Sequence, residues 1–287
     1  CEGFNMIQIQ LKERMLYFYE LFINSFKSKT DEFRNINELI GILDVVYNRC
    51  YIATKYNYCK PEISYVNVRE NNIGCDTNTD IDTDTDISFF DAKNIRHCLI
   101  EHIQTEELYV TNDVSLGKDK SGILLYGTNA VGKTSLIRAI GITIIMAQAG
   151  LYVPCSSLVF FPYKNIFSRI LGNDNLFKGL STFAVEMSEL RSILKYSNKN
   201  SLVLGDELCS GTEIASAVSI FVTGVEYLHN NHSSFIFATH LHEIVGFSEI
   251  KELDRLALKH MTVKYDNERK VLVFDRKLMD GPGNNMY

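Results

Sequence analysis

The stretch YGTNAVGKTSLIRAIG, Tyr126 to Gly141, constrains this chain more than any other. An apolar run, SGILLY, precedes it, and apolar positions at Ile137, Ile140, Ile144 and Ile145 follow at helical spacing. Strand, glycine loop, then helix is the context in which a short loop cradles a polyphosphate. Gly127 and Gly132 let the backbone curl so that its N–H groups face the phosphates, and the helix N-terminus adds the positive end of its dipole. Lys133 is placed to reach the β- and γ-phosphates, and the Thr134 hydroxyl to ligate Mg²⁺. Thr128, Asn129, Ala130 and Val131 fill the loop between the glycines, and Ser135 follows on the first turn of the helix.

Phosphate loops drive many machines, so the remaining motifs have to decide. The run SLVLGDE, Ser201 to Glu207, is an apolar strand ending in two adjacent acids. At the carboxyl edge of a parallel sheet, Asp206 suits the hold on Mg²⁺, and Glu207 is placed to orient and deprotonate an attacking water. That pairing points to hydrolysis rather than to phosphoryl transfer onto a bound substrate. A third strand end, FATH, presents His240, which can hydrogen-bond a γ-phosphate or the attacking water. A zinc reading of His240, His242 and Glu243 lacks further ligands at a suitable spacing. NKNS, Asn198 to Ser201, lacks the aspartate of a guanine-specificity motif, so ATP is preferred over GTP by absence.

Outside these motifs the chain falls into three stretches. Phe4, Ile7, Leu11, Met15, Phe18 and Phe22 form one helical stripe, and Ile36, Leu39 with Ile40, Leu43, Val46 with Tyr47, and Cys50 mark a second. The polar connector KSKTDEFRN between them offers Thr30 or Asp31 as a helix cap. Two long helices packed together are expected within a helical region at 1–75. DTNTDIDTDTDIS, Asp76 to Ser88, is of low complexity and carries no calcium-loop register. It reads as part of an acidic linker or insertion at 76–93. From about Ile95 short apolar runs alternate with helical stretches, the pattern of a parallel sheet with crossover helices, giving an α/β domain at 94–287. Strands are expected at Leu158–Phe161, Ser201–Gly205, Ser234–Ala238 and in KVLVFDRKL.

Composition narrows the setting. No apolar run approaches the roughly 18 residues of a membrane span. Seven scattered cysteines without a CxxC pair read as reduced thiols of an intracellular, soluble protein. A net charge of −6 argues against a broad DNA-coating surface on these residues. The start, CEGFNMIQ, reads as a cut inside a longer protein.

The turn Gly179-Leu180-Ser181-Thr182 opens another helix and offers a second anion-binding device. One nucleotide rarely needs two, so Ser181 is expected to serve the ATP of a neighbouring copy, with nucleotide held at a dimer interface. The segments YGTNAVGKTSLIRAIG, MAQAGLYVPC, IFSRILGNDNLFKGLSTFAVEMSEL, SLVLGDELCSGT and FATHLHEI occur in one order in this chain. In that order they resemble the MutS mismatch-repair ATPases of the ABC superfamily, most strongly from Asn94 to Ile244. The resemblance implies a phosphate-loop NTPase fold of the ABC-ATPase type with a largely parallel central sheet, preceded by the end of a helical core. It also implies Mg²⁺-dependent ATP hydrolysis and a second MutS-like subunit. Mismatched or distorted double-stranded DNA would be held by domains outside these residues. It assigns Tyr109 to stacking on adenine, Asn129 to the loop, Ser181 to the opposite subunit's site and His240 to a switch.

Departures accompany the likeness. Thr128, Ala130 and Val131 stand where the family usually has Pro, Met and Gly, and Cys209-Ser210 stand where it generally has Gly-Arg. Gln148 is explained equally well by helix packing. A nucleotide-gated clamp on DNA or recombination junctions, with little hydrolysis, is the alternative. A transporter subunit should show an SGGQ signature where STFAVEM stands.

Overall fold

The computed structural model describes residues 2–64, 87–103, 108–170, 182–206, 208, 213–266 and 271–283. The chain divides into two compact units, Cys1–Thr54 and Lys55–Tyr287. The expected linker at 76–93 lies largely outside the described residues, although a strand begins within it at Phe89.

The first unit is helical. Helix α1 (Glu2–Ser25) leads through a 3-10 turn at Lys27–Lys29 into α2 (Thr30–Tyr56). The expected packing of one helix on the other is not observed: Phe4, Phe18, Ile40 and Leu43 of the two stripes are about 60% exposed. The backbone gives the reason. Phe26 and Thr30, which flank the turn, both keep right-handed helical dihedrals, so nothing reverses the chain. Thr30 does not cap α2 either, because its hydroxyl donates back to the Lys27 carbonyl at 2.9 Å.

The second unit is α/β. It contains, in order, β1 (Glu62–Ile63), β2 (Phe89–Ile95), α3 (Ile100–Ile103), β3 (Asn112–Leu116), β4 (Gly122–Tyr126), α4 (Lys133–Gln148) and β5 (Ser157–Phe161). There follow β6 (Asn165–Arg169), α5 (Thr182–Tyr196), β7 (Ser201–Asp206), α6 (Ile214–Asn230), β8 (Ser234–Ala238), α7 (Ser248–Lys251), β9 (Leu256–Asp266) and β10 (Val271–Asp280). Among the described residues six strands form one sheet in the order β10-β9-β4-β8-β7-β6, parallel except for the β9–β10 pair.

The apolar strands of this sheet are continuous because both faces are covered. Ile123 and Leu125 face α4, packing with Ile137, Ile140 and Leu204, while Leu124 and Tyr126 face α6 with Phe221 and Val225. Each such side chain contributes roughly 1.5–3 kcal/mol on burial. The strand expected at Leu158–Phe161 exists as β5, but it joins a second sheet ordered β1-β5-β2-β3, in which β2 runs antiparallel to both β3 and β5. Periodicity identifies a buried strand without revealing which sheet it joins, and only three residues separate β5 from β6.

Candidate nucleotide site

The parallel register brings three strand ends to one edge. Leu125 of β4 pairs with Ala238 of β8, and Ala238 pairs with Asp206 of β7, so the three lie in one row. Asp206 in that row and the residues just beyond it are the candidates for the chemistry. Beyond β4 the chain turns through Gly127 (φ 146°) and Gly132 (φ 109°), left-handed backbone that a side chain would strain. Ala130 (φ 64°) takes the same region despite its Cβ, at a cost of about 1–2 kcal/mol. Val131, in contrast, is fully buried and packs into the α4-side core, which anchors the loop from beneath.

Lys133 opens α4 and is 5% exposed. Its ammonium donates to the carbonyls of Gly127 at 2.6 Å and Thr128 at 3.2 Å, and lies 3.3 Å from His240 Nε2. The charge is therefore held inside the curl of the loop. Next on α4, the Thr134 hydroxyl donates to Asp206 Oδ2 at 2.6 Å. The other carboxylate oxygen, Asp206 Oδ1, is buried without a hydrogen-bond partner among the described residues. A hydroxyl oxygen and an unpartnered carboxylate oxygen side by side are the hard donors that Mg²⁺ prefers, so these residues fit the ion.

His240 emerges exposed just past β8. The zinc alternative finds no support: among the described residues no group of three or more His, Cys, Asp and Glu is placed to hold a metal. His242 instead packs against the Tyr126 ring, 4.9 Å between centroids, and burial lowers its pKa below the ordinary imidazole value. Gln148 is structural, its amide exchanging two hydrogen bonds with the Tyr163 backbone.

Beside the loop is a cavity of about 140 Å³ lined by Tyr109, Asn112, Ala130, Gly132, Ser135 and Arg276, among others. Tyr109 is thus on the loop's flank, and burial pushes its hydroxyl up to about 12, with Arg276 opposing the rise. Arg276 was not anticipated. It sits at φ 55° where the β9–β10 register shifts between Phe274 and Leu278. Asn112 clamps this bulge, donating to the Arg276 carbonyl at 3.1 Å and accepting from the Leu278 N–H at 2.7 Å. Its signal in the sequence is parity: Arg276 alternates with Phe274 and Leu278, which pack on the core, so a charge falls in an apolar register.

The structure thus brings together Gly127–Ser135, Lys133, Asp206, His240 and Tyr109. Glu207 and Ser181 lie outside the described residues.

A mostly parallel sheet with a glycine loop at its carboxyl edge, and an acid from a non-adjacent strand beside it, defines an α/β domain with a ligand site at the ends of its strands. The family model for MutS domain V matches residues 123–287. A putative mutS homologue of Acanthamoeba polyphaga mimivirus is 34% identical, over 94% of this chain and 26% of that protein. The mitochondrial mutS homologue of Sarcophyton glaucum is 35% identical, over 98% of this chain and 26% of that protein. MutS of Staphylococcus haemolyticus is 32% identical over 94% of this chain and 28% of its own. The chain belongs to the MutS family, and it spans about a quarter of the length of these relatives.

Proposed function

We propose that this chain is the ATP-binding and hydrolysing domain of a MutS-like DNA mismatch-repair protein. The observation that carries the reading is the convergence of Lys133, the Thr134–Asp206 pair and His240 on one sheet edge. Loop N–H groups and the Lys133 ammonium bind the β- and γ-phosphates. Thr134 and Asp206 would hold Mg²⁺, which would supply positive charge to offset that of the phosphates. Tyr109 and Arg276 flank the cavity that takes the adenine, one offering an aromatic face and the other a guanidinium plane. Glu207, directly after Asp206, orients the water and accepts its proton. His240, in contact with Lys133, senses the terminal phosphate.

ATP sandwiched between two subunits, with Ser181 acting across the interface, follows from the same reading. So does coupling to mismatched DNA held by other parts of a full-length protein, on the order of 1–3 kcal/mol. The names of the mimiviral, mitochondrial and bacterial relatives support the repair setting. The membrane plays no part in this reading; among the described residues no helix is long and apolar enough to cross one.

The test is Glu207→Gln, with ATP binding and multiple-turnover hydrolysis measured side by side. Retained binding with turnover lowered at least a hundredfold is expected. Unchanged turnover would remove Glu207 as the base, and a wild-type chain that binds ATP without hydrolysing it, even as a verified dimer, would favour the clamp. Sharing between subunits is tested by mixing Lys133→Ala and Ser181→Ala copies. Each alone should be inactive, and verified mixed dimers should regain part of the activity.

A further inference from the structure

Away from the nucleotide site, two cysteines that no role above uses face each other. Cys59 Sγ and Cys155 Sγ are 3.5 Å apart, 96 residues apart in sequence. Cys59 follows the end of α2 by three residues, and Cys155 lies in the loop between α4 and β5. Several contacts hold them there. Cys59 and Val153 form an antiparallel bridge, exchanging backbone hydrogen bonds at 3.0 and 2.9 Å. Arg96 binds both flanks: its N–H donates to the Pro154 carbonyl at 2.8 Å, and its guanidinium donates to the Tyr56 and Asn57 carbonyls at 3.1 and 3.0 Å. Cys155 is 1% exposed, and Cys59 is partly buried, the more accessible of the two.

We propose that Cys59 and Cys155 form a reversible disulfide with a small-molecule disulfide oxidant of the glutathione type, fastening the segment after α2 to the loop behind α4. Cys59, the less buried of the two, is the point of entry. The contact with Cys155 lowers the Cys59 pKa against the opposing effect of burial, Arg96 adds to the lowering, and the same contact raises that of Cys155. Cys59 as thiolate attacks one sulfur of the oxidant, forming a mixed disulfide and expelling one small thiolate, which takes up the Cys59 proton. Cys155 then attacks the Cys59 sulfur, its proton leaving with the second small thiolate. Two protein thiols are oxidised by two electrons in all, and one disulfide is reduced to two thiols. The sulfurs, now 3.5 Å apart, must close to about 2.05 Å to form the bond.

The test equilibrates the whole chain in glutathione buffers from reducing to oxidising, then denatures it, alkylates free thiols and maps the peptides. At the oxidising end the chain should lose two of its seven thiols. A cross-linked peptide should join Cys59 to Cys155, and dithiothreitol should restore both thiols. Cys155→Ala should stop at a glutathione adduct on Cys59, Cys59→Ala should leave Cys155 unmodified, and Cys98→Ala should change nothing. The proposal is overturned if all seven thiols remain alkylatable, if wild-type oxidation ends at the adduct, or if the lost pair includes Cys98. The readout is independent of ATP, so it stands or falls apart from the nucleotide reading.

Discussion

The Thr134 hydroxyl, on the first turn of α4, and the Asp206 carboxylate, at the end of β7, meet at 2.6 Å across 72 residues of sequence, with β8 lying between β7 and the β4 strand that leads into the loop. The contact leaves Asp206 Oδ1 buried and available beside it. Asp206→Asn keeps the shape and removes the charge. ATP affinity in Mg²⁺ should fall about tenfold, or ~1.4 kcal/mol, while affinity in EDTA should hold or rise because a repelling carboxylate is gone. Titration with a fluorescent ATP analogue under both conditions separates the outcomes. An equal loss in both would mean that Asp206 serves the fold alone.

Tyr109 and Arg276 border the cavity on the flank of the loop, and we assign that cavity to the base rather than to the phosphates. Tyr109→Ala or Arg276→Ala should therefore weaken ATP by about 1–3 kcal/mol, the range for loss of a stacking partner. Inorganic tripolyphosphate, measured by calorimetry, should bind each variant as it binds the wild type. A parallel loss for tripolyphosphate would place these residues in support of the loop instead.

Gly205 precedes Asp206 on β7, and a Cβ there would overlap the ring of the buried Phe237 on β8. Overpacking of this kind costs about 1–3 kcal/mol. Gly205→Ala should lower the melting temperature by roughly 3–10 °C, read by circular dichroism or calorimetry. An unchanged melt would mean that the ring moves aside freely.

His97 is 5% exposed, and its Nδ1 accepts from the N–H groups of Leu99 and Ile100 at the start of α3. Burial lowers its pKa, Arg138 adds to the lowering, and Glu101 opposes it. The unfolded chain therefore takes up a proton at a higher pH than the folded one. The stability linked to His97 is complete above the ordinary value of 6.5 and is lost as pH falls from there through the folded pKa. Melting temperature should decline between pH 7 and 5, and His97→Asn, which keeps a short acceptor, should flatten that decline. An identical slope in the variant would assign the acid sensitivity to other groups.

The sequence exposes the central sheet because its strands are local apolar runs. Ser234–Ala238 is read at its full length, and the loop follows β4 as expected. Asp206 and His240 sit at or just past strand ends, and Lys133 and Thr134 on the first turn of α4 directly after the loop, so the strand register and the short loop bring them together. What escaped depends on distant pairing. β2 and β3 share a sheet with β5 through contacts between remote segments, which no local period encodes. Arg276 reaches the cavity only through a bulge that Asn112 stabilises from another sheet, 164 residues away. The helical stripes of α1 and α2 were legible as stripes, but whether they meet depends on the turn at Lys27–Lys29, and those residues carry no reversing signal.

Because β8 is hydrogen-bonded to β4 on one side and β7 on the other, its last residues are the common neighbour of the lysine-bearing loop and the acidic strand end. A slight tilt of that strand would displace His240 relative to Lys133 and Asp206 at once. Substitutions deep in β8, remote from any ligand, should consequently behave like lesions of the candidate nucleotide site itself, and screens for lost ATP binding would find them scattered along one buried ribbon.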